Sequence, residues 1–495
     1  MAATLNPVTR PQVLFSTAEP AAAPATVSVA SARRMLQLAV GSLIIAGCLS
    51  LMLVGGRIPG LAEAIGDPLF FKRCLVVHVD LALVVWFAAF AGTMFALLPA
   101  TAAEHRRFNA GTLVAAGGVV LMIAGALVPG AAPVLSNYVP VIADPVFLAG
   151  LVILFSGFLL CFMDGRFLRS TPTAPDVHQP DAALWVSPEA AAGFKTAAVA
   201  FLVATLTFVA GWSGTPRSLA DRNYYELVFW GGGHVLQVAN VAAMMGVWLW
   251  LLASKLGRPV IRPATAWCLF ALLLAPHLVG PLLAKDGTIN SVYRLGFTRL
   301  MQFGIAPVVL VVLGLCGRQI RLAFAEGRLT RADWRDPRLV GFALSAGMTV
   351  AGFVLGAVIR SSNTMIPGHY HAAIGAVTMA FMAATYPLLR GLGFRFDLSR
   401  FSRLVPAQLA CFGLGQIVFA LGFGWAGLNG AGRKAYGAEQ HVRSASEHAG
   451  LIVMGIGGVI AVGGGLLFLG LVIRAWLGRR ADRARPVSIS LQPVD

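Results

Sequence analysis

The sequence predicts an all-α polytopic membrane protein, a bundle of twelve transmembrane helices, on three observations. Of its 495 residues 57% are hydrophobic and only 12% charged, whereas about a quarter of the residues of a soluble globular chain are charged. Its mean hydropathy is +0.77. Its apolar residues fall into long runs separated by short loops rich in Gly, Pro and Arg, and a run of about 20 apolar residues suffices to cross a bilayer as a helix.

Taken in order, the runs are bounded by charge or by Pro and Gly. Residues 1–34 hold an Ala/Pro/Thr/Val-rich stretch before Arg33 and Arg34. They lack the basic start, short apolar core and cleavage site of a signal peptide, so they read as a disordered cytoplasmic tail. The first span, 35–57, closes at Arg57, the second, 69–99, runs from Pro68 to Pro99, and the third, 109–131, follows Arg106 and Arg107. The fourth, 143–163, stops before Asp164, the fifth, 189–212, starts after Pro188, and the sixth, 224–254, stops before Lys255. The seventh, 262–285, ends at Lys285, the eighth, 294–317, stops before Arg318, and the ninth, 338–360, ends at Arg360. The tenth, 367–390, lies between Pro367 and Arg390, and the eleventh and twelfth are 403–428 and 447–474. Residues 35–474 therefore read as one membrane domain and 475–495 as a basic cytoplasmic tail.

The net charge of +17 would suggest nucleic acid for a soluble protein, but here the basic residues alternate between loops, and no nucleic-acid partner is expected. With a cytoplasmic amino terminus, 25 of the 38 Lys and Arg lie in inside segments and 12 in outside segments, with Lys195 within a span. The excess of basic residues in inside loops puts both termini in the cytoplasm. The clearest marker is the loop with Arg318, Arg321, Arg328, Arg331 and Arg335. Six cysteines without a CxxC pair exclude a disulfide framework and covalent c-type haem attachment. No internal repeat of the kind that builds secondary transporters is visible.

Nine histidines occur. His105 and His178 fall in inside loops and read as surface residues. Intramembrane ionisable groups are costly and so mark function, which singles out His78, His234, His277, His369 and His371. Even-numbered spans run inward, so His78, His234 and the pair His369/His371 lie within about three turns of the outer surface, and His277 lies near the outer end of the outward-running seventh span. Five imidazoles at one depth predict a common layer of ligands. At about 100° per residue, His369 and His371 point about 200° apart. They cannot share one small metal from a regular helix. Each can instead bind a different large cofactor, imidazole being an ordinary axial ligand of haem iron, or one of them satisfies backbone or a lipid headgroup at the helix start.

Twelve spans, a His in the second, a His in the sixth after Phe229-Trp230-Gly231-Gly232-Gly233, a His in the seventh and His369-Tyr370-His371 opening the tenth resemble the catalytic subunit of the haem-copper oxidase superfamily, cytochrome oxidases and nitric oxide reductases among them. The resemblance implies that His78 and His371 ligate a low-spin haem that receives electrons, and that His369 ligates a high-spin haem. His234 and His277 would hold a distal non-haem metal, copper or iron. Arg433 and Lys434 resemble the basic pair that neutralises haem propionates, their alternative being solvated loop charge.

Three departures bear on the subfamily. The family places two adjacent histidines in the seventh span, whereas this chain has Pro276-His277. Gln237, on the face of His234, or Asn240 a turn further on could complete the metal site with an amide oxygen, and both equally suit hydrogen bonding between helices. The family's oxidases commonly carry a tyrosine four residues after the sixth-span histidine, where this chain has Val238, and the seventh span has no tyrosine either. Tyr370 is expected to face outward. The inner halves of the second, third, sixth and eighth spans hold almost no titratable groups, while Asp80, Asp144, Glu226, Asp286 and Glu447 gather at the outer ends. These acids read as propionate neighbours, proton donors or helix N-terminal carboxylates.

The expectation is thus a respiratory oxidoreductase of the bacterial cytoplasmic membrane that reduces nitric oxide to nitrous oxide without proton pumping, with Glu226 supplying protons. The alternatives are a terminal oxidase reducing dioxygen to water, and a haem-binding sensor or transporter without turnover. Electrons would come from a membrane-anchored cytochrome c, a cupredoxin-type subunit or quinol.

Overall fold

The computed structural model describes residues 26–55, 67, 69–171, 184–433 and 444–478. Among these, twelve helices are long and apolar enough to cross a membrane. They are α1 (Val29–Leu53), α2 (Phe70–Ala96), α3 (Ala102–Ala126), α4 (Pro145–Phe162), α5 (Pro188–Gly214) and α6 (Asp221–Leu256), then α7 (Pro263–Leu283), α8 (Ser291–Ala325), α9 (Pro337–Ala357), α10 (Met365–Gly391), α11 (Leu404–Leu428) and α12 (Ala445–Leu477). The fold class expected from hydropathy is the one observed. α1 begins six residues earlier than expected because Ser28 caps it, its Oγ accepting from Ser31 N at 3.2 Å. The last residues of the expected tail are therefore helical. Residues 1–25 and 479–495 lie outside the described residues.

Sequential neighbours pack closely through small residues, as membrane helices do in the absence of a hydrophobic drive between them. Gly118 and Gly125 on α3 face the α4 backbone so closely that a Cβ would come within 2.5 Å of Leu154 N and Phe147 N. Gly415 and Gly464 bring α11 and α12 together in the same way. The centre of the bundle is apolar and aromatic, with Trp86, Phe90, Trp248 and Phe381 fully buried and the Phe90 and Phe381 rings stacked at 4.3 Å.

Two helices depart from regular geometry beside a histidine. α2 passes through a π-helical turn at Asp80–Val85, just after His78, and such turns often occur at functional sites. α7 tightens into a 3-10 turn at Ala275–Val279, where Pro276 cannot donate to the helix ladder. Between α3 and α4 a small antiparallel hairpin, β1 (Pro133–Val134) with β2 (Val141–Ile142), carries a tip that turns into the bundle. Nothing in the hydropathy marks it.

Candidate active site

All five singled-out histidines sit in the same end of the bundle, and four are held in one manner. His78 Nδ1 contacts Ala46 O of α1 at 2.8 Å, and His369 Nδ1 contacts Gly352 O of α9 at 2.7 Å. His234 and His277 turn back on their own helices, to Trp230 O at 2.7 Å and Leu273 O at 2.9 Å. A carbonyl only accepts, so each Nδ1 carries the proton and each Nε2 keeps its lone pair. This is the arrangement by which proteins orient imidazoles for metals.

The histidines fall into two near pairs. His371 lies close enough to His78 for their charges to interact, as does His234 to His277. His371 is held between rings, edge-on to Phe419 at 4.8 Å and stacked on Phe423 at 5.9 Å. Room for the rings is made by glycines. A Cβ on Gly304 would lie 2.7 Å from His277 Cε1, and one on Gly356 would lie 2.7 Å from His369 Nδ1. His277 Nε2 is buried without a hydrogen-bond partner among the described residues. A buried imidazole nitrogen left orphaned is costly unless something coordinates it, so His277 fits a metal ligand, while among the described residues no three His, Cys, Asp or Glu side chains gather into a complete set.

The Gly231-Gly232-Gly233 run has a packing reason, each glycine receiving a ring from another element. Gly231 meets Phe297, Gly232 meets Phe208, and Gly233 meets Tyr138. The last contact matters most. Tyr138 stands at the tip of the hairpin with a left-handed φ of 69°, a strained conformation for a bulky residue. Its hydroxyl lies 3.0 Å from His234 Nε2, and its ring lies 4.7 Å from the imidazole. Along the sixth and seventh spans no tyrosine stands near the distal histidine. The structure supplies one from a loop 96 residues earlier, with no local pattern to betray it. Burial, then the Glu226 carboxylate, raise the phenol's pKa, so it stands protonated as a donor toward His234.

Glu226 and Arg433 anchor this tip. Asn137 donates to Glu226 through its backbone N–H at 2.9 Å and through Nδ2, and Arg433 Nη2 donates to Asn137 Oδ1 at 2.7 Å. Arg433 is thus neither a free loop charge nor remote from the site, and Lys434 lies outside the described residues. Gln237 and Asn240 are half-buried on α6, and neither is brought to His277 by a described contact. Tyr370 is half-buried, its ring 4.9 Å from that of His371. Of the outer acids, Asp144 caps α4, Asp286 is exposed and Glu447 is buried in the first turn of α12. Asp80 is fully buried, with neither oxygen hydrogen-bonded among the described residues.

A membrane bundle that gathers oriented imidazoles at one end is the architecture of a respiratory metalloprotein subunit, and the comparisons with known proteins agree. Residues 30–460 match the family described as Cytochrome C and Quinol oxidase polypeptide I, and the chain belongs to it and so to the haem-copper oxidase superfamily. An uncharacterized protein of Aquifex aeolicus (strain VF5) is 28% identical over 75% of this chain and 88% of its own. One of Rickettsia prowazekii (strain Madrid E) is 24% identical over 88% and 94%. Cytochrome c oxidase subunit 1 of Thermus thermophilus is 25% identical over 55% of this chain and 52% of its own. The cryo-EM structure of a heme-copper terminal oxidase dimer superposes with a TM-score of 0.67 over 93% of this chain and 86% of its own, at 14% identity, which is likeness of fold.

Proposed function

We propose that this subunit reduces nitric oxide to nitrous oxide at a haem and non-haem metal pair near the outer face of a bacterial cytoplasmic membrane, with both termini in the cytoplasm. The observation that carries the reading is the distal donor set. α7 offers one imidazole, His277, to stand with His234, and the Tyr138 hydroxyl donates toward His234 Nε2. Two imidazoles completed by an amide oxygen, that of Gln237, would form a harder set than three imidazoles and suit iron better than copper.

His78 and His371 would hold the low-spin haem, His369 the high-spin haem, and His234 and His277 the non-haem metal, with Gln237 as the candidate third donor. When bound, these groups supply the electrons and the Lewis acidity that two-electron reduction requires. The chain's own part is to hold the Nε2 lone pairs in place through the Nδ1–carbonyl bonds and to bring protons through Glu226, which Asn137 fixes beside Tyr138. Electrons enter from a cytochrome c or cupredoxin-type subunit at the histidine end, or from quinol.

Tyr138 also favours a second reading, reduction of dioxygen to water. A phenol in hydrogen-bond reach of a distal imidazole can give the proton and electron that cleaving the O–O bond demands. Purified enzyme with a reduced mediator decides between the readings: consumption of nitric oxide in preference to dioxygen supports the first, and the reverse preference supports the second. Turnover of neither gas would point to a sensor or transporter.

A further inference from the structure

At the end of the bundle remote from the histidines, the loop between α10 and α11 and the last turns of α12 surround a cavity of about 930 Å³. Arg390, Arg395, Arg400 and Arg474 bring four guanidinium groups to it, and Asp397 is the one carboxylate in its lining. That carboxylate accepts from Ser399 N at 2.9 Å and Ser399 Oγ at 2.7 Å, and its charge also reaches Arg390, so it offsets at most one of the four cations. Among the described residues none of the four arginines lies within 4.0 Å of a carboxylate oxygen in an ion pair. The C-terminal dipoles of α10 and α12 ease the placement of Arg390 and Arg474, but Arg395 and Arg400 sit in the loop without that help. Four cations gathered around one cavity repel one another unless an anion enters it.

The rest of the lining is apolar. Arg400 and Arg474 both lie over the Phe401 ring, at 5.9 and 5.6 Å, and Phe394, Ile473 and Leu477 complete the wall. The cavity lies where three spans end, which is the headgroup level of a bilayer. A phosphate there would meet the guanidinium groups while its hydrocarbon ran down the apolar wall. A soluble anion would have no use for that wall. The chain's own continuation is a poor occupant, since Arg479, Arg480, Arg483 and Arg485 follow within eight residues of Gly478 with Asp482 alone to oppose them. Basic pockets between membrane helices are suited to anionic lipid headgroups, and we propose that this cavity binds the headgroup of an anionic membrane phospholipid. The site is independent of which gas the enzyme reduces.

The test uses the full-length protein, delipidated in detergent and titrated with phosphatidylglycerol or phosphatidylcholine, bound lipid being counted by native mass spectrometry. Phosphatidylglycerol should bind with saturation and phosphatidylcholine more weakly. The double variant R395Q/R474Q should lose about twentyfold or more in phosphatidylglycerol affinity, at about fivefold per basic residue near a membrane surface. R331Q/R335Q, which removes charge from the α8–α9 loop at the same end, should leave binding unchanged. Equal affinity for the two lipids, equal losses in the two double variants, or displacement of the lipid by about 10 mM inorganic phosphate, the mark of a soluble-anion site, would each overturn the proposal. Should R395Q/R474Q fail to yield monodisperse protein, the native chain still decides. Raising salt from about 0.05 to about 0.5 M should weaken phosphatidylglycerol alone, and an affinity that does not move would also overturn it.

Discussion

A ring nitrogen bound to a backbone carbonyl costs the fold little, and it settles which nitrogen faces the cofactor. The bonds of His78 to α1 and His369 to α9 tie the two imidazoles to different helices, as the proposed assignment to two separate haems requires. Replacing His78 or His371 with Ala should therefore remove the low-spin haem spectrum and leave the high-spin one, and His369→Ala should do the reverse. Retention of both components in all three variants would refute the assignment. Tyr138 is the residue on which the two gas readings diverge. Tyr138→Phe removes the hydroxyl at His234 Nε2 and keeps the ring that fills Gly233. If the phenol is an electron and proton donor, metal content should stay whole while dioxygen reduction falls at least tenfold, and nitric oxide reduction should fall less. For Gln237→Ala, loss of non-haem metal by elemental analysis is expected if its amide is the third donor, and unchanged content would return it to packing. The histidines were legible in the sequence because ionisable groups in apolar runs are conspicuous. Tyr138 was not, because its approach to His234 depends on a single left-handed residue in a loop.

The spans could be read from sequence because hydrocarbon thickness fixes their length whatever they pack against. Their irregularities could not. The π-turn of α2 lacks a proline to announce it, and the hairpin between α3 and α4 has strands of two residues each, too short to show alternation. In α7 a 3-10 turn at Pro276 places His277 against Gly304 of α8. That contact makes a prediction about elements rather than chemistry. Gly304→Ala would put a methyl 2.7 Å from His277 Cε1, and overpacking of this kind costs about 1–3 kcal/mol. The imidazole or α8 has to move. Non-haem metal content should fall while the low-spin haem spectrum, carried by α2 and α10, stays intact. Gly317→Ala, further along α8 with nothing within 4 Å of the new methyl, should leave metal content unchanged. Equal metal content in the two variants would show that α7 and α8 do not position His277 through this contact.

Across the whole molecule the polar groups are unequally placed, and this bears on where protons enter. Toward the end remote from the histidines, several hydroxyls of α9 and α10 are committed, and the buried carboxylate and amide oxygens there without a partner among the described residues, Glu189 Oε2 and Asn109 Oδ1, lie near the ends of α5 and α3. Ser345 donates to Ala376 O and Thr349 to Ser345 O. Tyr386 donates to Gln408, whose amide donates on to Gly464 O. Tyr386 lies seventeen residues along α10 from His369, which is about 25 Å of helix, and a proton crossing that distance needs titratable groups or ordered water. At the histidine end Glu226 is half-buried and held beside Tyr138 through Asn137. Catalysis should therefore take its protons from the histidine side and pump none. In proteoliposomes with that face outward, turnover of nitric oxide with an external electron donor should alkalinise the outside and generate no membrane potential. A potential that collapses with uncoupler would mean that water threads the hydroxyls of α9 and α10. Glu226→Gln should slow turnover about tenfold or more with both haem spectra unchanged, as expected for loss of a positioned proton donor. An unaltered rate would leave Glu226 as the anchor of Asn137 and nothing more.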